Sequence, residues 1–258
     1  MAGASSGDLT ILKLGGSVIT DKDAPETVDD AALDSVVSAI ADSESVAGEG
    51  DAANLIIVHG GGSFGHVHAA EHGVSTTEGT HDLEAVTAIH GAMKRLNGVV
   101  IDRLQAAGVP AVPVHPLSAV ARDADAELSL PTGAVDGLRT EGFVPVLHGD
   151  VIAHAGQGVT VLSGDELVTG LAERLGASRV GLCSTVPGVL DSDGDVIDAI
   201  TDFESVAAAL GDSESTDVSG GMAGKVRELL ALSGQARIFG PDGVGPFLAG
   251  DAPGTLID

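Results

Sequence analysis

Only four lysines occur in 258 residues, and three of them, Lys13, Lys22 and Lys225, sit in glycine-bearing segments. The fourth, Lys94, lies in a helix-like stretch. With 38 acidic residues against 12 basic ones, the chain has nearly lost its ammonium groups, so those that remain mark positions where a cation is required. Lys13 opens Lys13-Leu14-Gly15-Gly16-Ser17, with Lys22 shortly after. Lys225 closes Ser219-Gly220-Gly221-Met222-Ala223-Gly224-Lys225, and between these segments lies His59-Gly60-Gly61-Gly62-Ser63-Phe64-Gly65-His66. Glycines let backbone N–H groups approach an anion closely, and a lysine adds a point charge. The chemistry this pattern serves is the handling of phosphate.

Those loops need rigid elements behind them. Residues 9–14 and 54–59 read as buried strands, each running straight into glycines. Asp29 is placed to cap a helix through Ala41, and Ser63 to cap a short helix whose N-terminus adds its dipole to the anion site. The longest helical pattern spans 82–107, with apolar residues at 85, 86, 89, 93, 96, 99, 100 and 104. Further strands are expected at 111–114, 143–147, 179–183 and 236–239, and further helices at 164–175 and 221–232. Residues 129–138 and 151–162 read as hairpin or rim material. Strands alternating with helices imply a mainly parallel open sheet covered on both faces, a three-layer α/β/α sandwich. Segments 42–53 and 211–216 read as acidic surface loops, too short to link independent domains.

The formal net charge of −26 is spread along the chain, and no basic cluster offsets it, which excludes nucleic acid and anionic lipid as partners. Few lysines, abundant acid and no Trp or Tyr suggest a salt-loving organism, where dissolved ions screen self-repulsion. Cys183 is the only cysteine, so there is no internal disulfide and no thiolate zinc site; it reads as core. No stretch approaches the ~20 apolar residues of a membrane span. Residues 1–8 show no signal region, and the expected location is cytoplasmic.

Two familiar phosphate loops fail. Gly220 to Lys225 has the Walker spacing, but Val226 follows and the context is helical. Gly60 to Gly65 matches the dinucleotide pattern only loosely, without an acidic residue ending a strand further on. Asp191 to Asp195 is a plain turn rather than a calcium loop, since the closing glutamate is absent. His66, His68 and His72 invite a metal reading, but no carboxylate stands at an obvious spacing. His59 reads as a structural histidine at a strand end.

Taken together, Ile11–Ser17 with Asp21-Lys22, Val58–His66, Ser163-Gly164-Asp165 and Gly220-Gly221-Met222 with Lys225 resemble the amino acid kinase superfamily. Within it the chain is most similar to the archaeal isopentenyl phosphate kinases, from about Leu9 to Ile257. The pair Gly65-His66 after the triple glycine is the sharpest signal, shared notably with fosfomycin kinase. The resemblance implies the amino acid kinase fold, with an acceptor-binding lobe at about 1–160 and an ATP-binding lobe at 161–258. It implies transfer from ATP, accompanied by Mg2+, to isopentenyl phosphate, and a homodimer through the first lobe.

By the same resemblance, Lys13 and Lys225 hold the nucleotide β- and γ-phosphates, and Lys22 acts on the transition state. Gly15, Gly16 and Ser17 form one N–H cradle; Gly61 faces the acceptor and Gly62 the nucleotide. His66 bonds the acceptor phosphate, Asp165 orients the lysines, Gly164 lies by the acceptor, and Gly221 by the nucleotide. Thr185 stands where the family often has a carboxylate, which leaves base and ribose contacts open. Asp150 either bonds loop amides or assists through metal or water. The alternatives are a kinase for another small phosphate or phosphonate, such as fosfomycin, and a non-catalytic anion-binding or storage protein on the same fold.

Overall fold

Strands and helices alternate along the chain, as the apolar pattern predicts. A computed structural model describes residues 9–46, 52–210, 221–232 and 234–258. The N-terminal segment 1–8, the acidic loop 211–216, residues 47–51 of the other acidic loop, and Ser219 with Gly220 lie outside the described residues. The first half contains β1 (Thr10–Leu14), α1 (Gly16–Ile19), α2 (Asp30–Ala41), β2 (Leu55–His59), α3 (Gly62–Glu71) and α4 (Leu83–Ala106). Then come β3 (Ala111–Pro113), β4 (Ala121–Arg122), β5 (Leu128–Ser129), α5 (Gly133–Thr140), β6 (Val144–His148), β7 (Asp150–His154) and β8 (Gly158–Leu162). The remainder is α6 (Gly164–Leu175), β9 (Arg179–Cys183), β10 (Ala199–Ile200), α7 (Glu204–Leu210), α8 (Gly221–Leu230), β11 (Ala236–Phe239), α9 (Val244–Leu248) and β12 (Thr255–Ile257).

Among the described residues one 8-stranded sheet runs β10-β12-β11-β9-β1-β2-β6-β3, parallel except where β11 meets β12. A smaller 4-stranded sheet, β5-β4-β7-β8, carries the expected β7–β8 hairpin. Alternation along β1 divides the core. Leu12 and Leu14 face the helices α2, α4 and α9, packing with Leu33, Leu96 and Phe247. Leu9 and Ile11 face the other layer, with Leu167 and Leu171 of α6 and Val226 of α8. Truncating such a fully buried Leu to Ala costs about 2–5 kcal/mol. The sheet is thus covered on both faces, the three-layer arrangement read from the sequence.

Helix starts follow local chemistry. Asp29, an expected cap, accepts from Ala32 N, and Asp82 caps α4 in the same way by accepting from Glu84 N. Two expectations fail. Gly61, not Ser63, takes the N-cap of α3; Ser63 lies one position inside the helix and donates its amide to Thr20 Oγ1 at 3.0 Å. Segment 129–138, read as hairpin or rim, is mostly the helix α5. Its two glycines weaken the helical signal, but burial of Val135 holds it, together with bonds from Ala53 N to Arg139 O at 2.9 Å and from Arg139 Nη1 to Ala53 O at 3.4 Å.

Candidate functional site

Because β9, β1, β2 and β6 run parallel, their C-terminal ends lie on one edge of the sheet, where ligands of open α/β sheets bind. Ser184, Gly15, Gly60 and Gly149 follow those ends and line a cleft of ≈ 290 Å³. The loops after β1 and β2 interlock: a Cβ on Gly16 would land on the Gly62 amide, and one on Gly60 would lie 2.7 Å from Gly16 N. Gly62 adopts φ +48°, a left-handed conformation that glycine accepts without strain. Thr20 ties the loops together, donating to Gly16 O at 2.8 Å and accepting from Ser63 N.

Lys13 occupies the position after Leu12 on the face that α6 covers, so alternation aims its side chain at the start of that helix. Lys13 Nζ lies 2.5 Å from Asp165 Oδ1, with both residues buried. The contact is an ion pair without good hydrogen-bond geometry, for both Asp165 oxygens are buried with no hydrogen-bond donor among the described residues. Gly164 leaves room for the lysine; a Cβ there would sit 3.1 Å from Lys13 Cε. Burial lowers the Lys13 pKa, the Asp165 charge opposes that shift, and Lys225 reinforces it.

A reciprocal capping box fixes the start of α6. Ser163 Oγ accepts from Glu166 N at 3.0 Å, and Glu166 Oε2 accepts from Ser163 N at 3.3 Å. Arg122 clamps Glu166 at 2.7 Å. This orients the helix so that Ser163, Gly164 and Asp165 border the cleft, with the positive end of the helix dipole toward it. The start of α3 does the same from the opposite wall, bringing Gly61, Gly65 and His66 to the cleft.

Lys225, Gly221 and Met222 of α8 close one side, with Lys225 Nζ 3.4 Å from Gly221 O. Lys22 lines the mouth from an exposed loop. Glu26 in that loop holds His68 at 2.7 Å and Arg95 at 2.8 Å, which fixes the loop and accounts for His68 as a structural partner. Among the described residues no group of three or more His, Cys, Asp or Glu is placed to hold a metal ion.

Lys13, Lys22, Lys225, Asp165, His66, Gly15, Gly16, Ser17, Gly61, Gly164, Gly221 and Thr185 therefore share one cleft. Gly62 does not line it, being packed behind the wall against Gly16 and Thr20. Asp150 does line it and accepts from two backbone amides, Val151 N at 2.9 Å and Leu117 N at 3.3 Å, and from the His90 imidazole Nδ1 at 3.0 Å.

Three features escaped the sequence reading. Ala69, Ile89, Met93 and Val161 form an apolar end beside His66; the period of α4 marks them as buried without saying against what. Glu228, one helical turn after Lys225, has its pKa pushed up to about 7 by burial and then by Asp165 and Glu166. Beyond Thr185, Pro187 and 239–243 line a second hollow of ≈ 250 Å³ at the opposite end from the apolar pocket.

The amino acid kinase family model matches residues 8–238. The isopentenyl phosphate kinase of Haloferax volcanii is 62% identical over 249 residues, covering 96% of this chain and 98% of its own length. That of Methanothermobacter thermautotrophicus is 37% identical over 246 residues, 87% of each chain. Among solved structures, an isopentenyl phosphate kinase superposes with a TM-score of 0.80 at 31% identity, over 97% of this chain and 100% of its own. Likeness of this degree, sustained from one end of the fold to the other, places the chain in the amino acid kinase family, among the isopentenyl phosphate kinases.

Proposed function

We propose that the chain transfers the γ-phosphoryl group of ATP to isopentenyl phosphate, giving isopentenyl diphosphate and ADP, a step of isoprenoid synthesis. The observation that carries this reading is the single cleft in which three lysines and two helix N-termini adjoin a short apolar end at His66. A phosphate head fits the cationic centre, and a five-carbon tail fits against Ala69, Ile89, Met93 and Val161. An acceptor without a short apolar tail would leave that end unused.

An oxygen of the acceptor phosphate attacks the γ-phosphorus, and the bond to the β,γ-bridging oxygen breaks, its electron pair leaving on ADP. The attacking oxygen is already ionised near neutral pH, so no general base is needed. Catalysis is then positioning and charge stabilisation. In this reading Lys13 and Lys225 hold the β- and γ-phosphates, Asp165 orients Lys13, and Lys22 follows the moving phosphoryl group. His66 donates to the acceptor phosphate, with Gly61 and Gly164 beside it. Gly15, Gly16 and Ser17 offer amides to the nucleotide, while Gly221 and Thr185 border it. Gly62 shapes the loop from behind rather than touching the nucleotide.

Mg2+ fits this site as a passenger on ATP, since the described residues offer no cage for it; Asp165, with undonated carboxylate oxygens, is the group that would bond the ion's waters. The ion would offset the phosphate charge. We assign residues 1–160 to the acceptor and 161–258 to ATP, and expect a cytoplasmic homodimer built through the first lobe. Among the described residues no helix is long and apolar enough to cross a membrane.

ADP release measured across isopentenyl phosphate, dimethylallyl phosphate, fosfomycin, UMP and acetylglutamate tests the reading. The two five-carbon phosphates should exceed the others in kcat/KM by about a hundredfold or more. Preference for fosfomycin or acetylglutamate would overturn it.

A further inference from the structure

Behind the acceptor end of the cleft lie imidazoles that the mechanism above does not use. β2 and β6 pair in parallel with His59 opposite His148. Strand alternation puts both on the α4 face with Ile57 and Val146, and both are fully buried. Their rings stack with centroids 5.5 Å apart and planes 30° apart. Each Nδ1 reaches the carbonyl of the glycine that follows its strand, at 3.0 Å for Gly60 O and 2.8 Å for Gly149 O.

A carbonyl oxygen only accepts, so each Nδ1 carries a proton. Burial holds both pKa values down at about 4, so neither ring carries a second proton at neutral pH, and each Nε2 is an acceptor. Both acceptors are met. Asn97 Nδ2 donates to His59 Nε2 at 3.1 Å, and His115 Nδ1 to His148 Nε2 at 2.8 Å. Turning the Asn97 amide would demand a proton on His59 Nε2, leaving Nδ1 bare against the Gly60 carbonyl. The order of donors is therefore fixed: Asn97 to His59 to Gly60, and His115 to His148 to Gly149.

In a trans peptide the N–H points opposite to the C=O of the same unit. Holding Gly60 O toward α4 thus sends the Gly61 N–H the other way. Gly60 and Gly61 line the cleft beside His66, and the Gly61 N–H donates to no protein acceptor among the described residues. We propose that His59 is a positioning residue for the phosphoryl acceptor: it holds the Gly60 carbonyl so that the Gly61 N–H is aimed at an acceptor phosphate oxygen, with Asn97 selecting the tautomer that can do so. His148, stacked on it and supported by His115, holds the neighbouring Gly149–Asp150 peptide in the same way. The inference rests on the proposed function, in that the acceptor phosphate occupies this end of the cleft.

The full chain carrying His59→Asn, His59→Gln or His59→Leu separates this role from mere packing. An Asn amide nitrogen falls near the place of Nδ1 and still reaches Gly60 O, whereas that of Gln falls near Nε2. His59→Gln and His59→Leu should raise KM for isopentenyl phosphate about tenfold, as for a misdirected hydrogen bond to a charged group, and leave KM for ATP within about twofold. His59→Asn should recover most of the loss. Both KM values rising together, or His59→Asn faring no better than His59→Gln, would overturn the proposal. Should the variants fail to fold, imidazole 15N spectra of the wild-type chain at neutral pH decide instead. Nδ1-protonated neutral His59 is expected, and an Nε2-protonated ring overturns the idea. If wild type ignores isopentenyl phosphate, the proposed function fails on its own. The order of the variants, read against whichever acceptor is used, still tests His59.

Discussion

Asp165→Asn probes the electrostatics at the centre of the cleft, because it keeps the side chain's shape while removing the charge facing Lys13 and putting an NH2 in place of one oxygen. The pair is buried, with Lys13 5% and Asp165 1% exposed. Taking away one member of such a pair costs about 3–5 kcal/mol, since the other is left as an uncompensated charge. In a chain of this length that corresponds to a melting temperature lower by roughly 6–20 °C. Molar salt does little to relieve the loss, because buried charges are poorly screened.

Lys13 has one escape, which is to release its proton. Burial already lowers its pKa, and Asp165 is the largest influence holding it up, so the substitution lowers it further. Between that lowered value and the ordinary 10.5, the unfolded chain binds the proton that the folded chain has lost. Stability of the variant should therefore rise with pH across this window. Activity should do the opposite. In the proposed mechanism the nucleotide phosphates need the ammonium form, so kcat/KM for ATP should fall as pH rises through the same titration. Melting temperature and kcat/KM for ATP, measured from about pH 6 to about pH 10, give both curves. Opposite slopes over one pH window are the expected result. An activity profile parallel to wild type, or stability that falls together with activity, would refute the coupling of Lys13 to Asp165.

Salt and His66 give two further tests. With a net charge of −26, folding and activity should require roughly molar KCl or NaCl, and full activity with an unchanged melting temperature in dilute buffer would refute a halophilic surface. His66→Ala should lower kcat/KM for the acceptor about ten- to a hundredfold with little change in KM for ATP, and His66→Gln should retain more. Loss of ATP affinity alone would remove His66 from the acceptor site.

What could be read from the chain was whatever local chemistry decides. The glycines after 9–14 and 54–59 mark where the strands end, so the loops and lysines of the cleft were legible. Alternation along β1 even implies that Lys13 shares a face with Ile11. What depends on distant neighbours was not legible. Ser63 gives up the cap to Gly61 because its hydroxyl is committed to Thr27, 36 residues away, accepting from Thr27 N at 3.4 Å and donating to Thr27 O at 3.2 Å. The helix α5 survives its glycines because it leans on Ala53. Ile89 and Met93 look like any buried helical positions until β8 and α3 close the pocket around them. Glu228 is an ordinary helix-surface residue in sequence, and only the placing of α8 over Asp165 makes it a half-buried acid.

The cationic side chains divide by chemistry, and that division explains how so acidic a chain can hold two anionic substrates. Its eight arginines are all engaged elsewhere. Arg95, Arg103, Arg122 and Arg139 pair with carboxylates. Arg174, Arg179 and Arg237 donate to backbone carbonyls, and Arg227 lies 3.9 Å over the Phe203 ring. Three of the four lysines, by contrast, line the cleft. A guanidinium is a planar fork suited to a fixed partner, whereas an ammonium is a compact charge on a flexible stem. A phosphoryl group in transit offers no fixed plane to a fork. An ammonium can follow it, and interactions that strengthen along that path are those that accelerate the reaction. Arginine therefore serves this fold as structure, and in the proposed mechanism lysine is kept for the phosphates, with Lys22 following the group that moves.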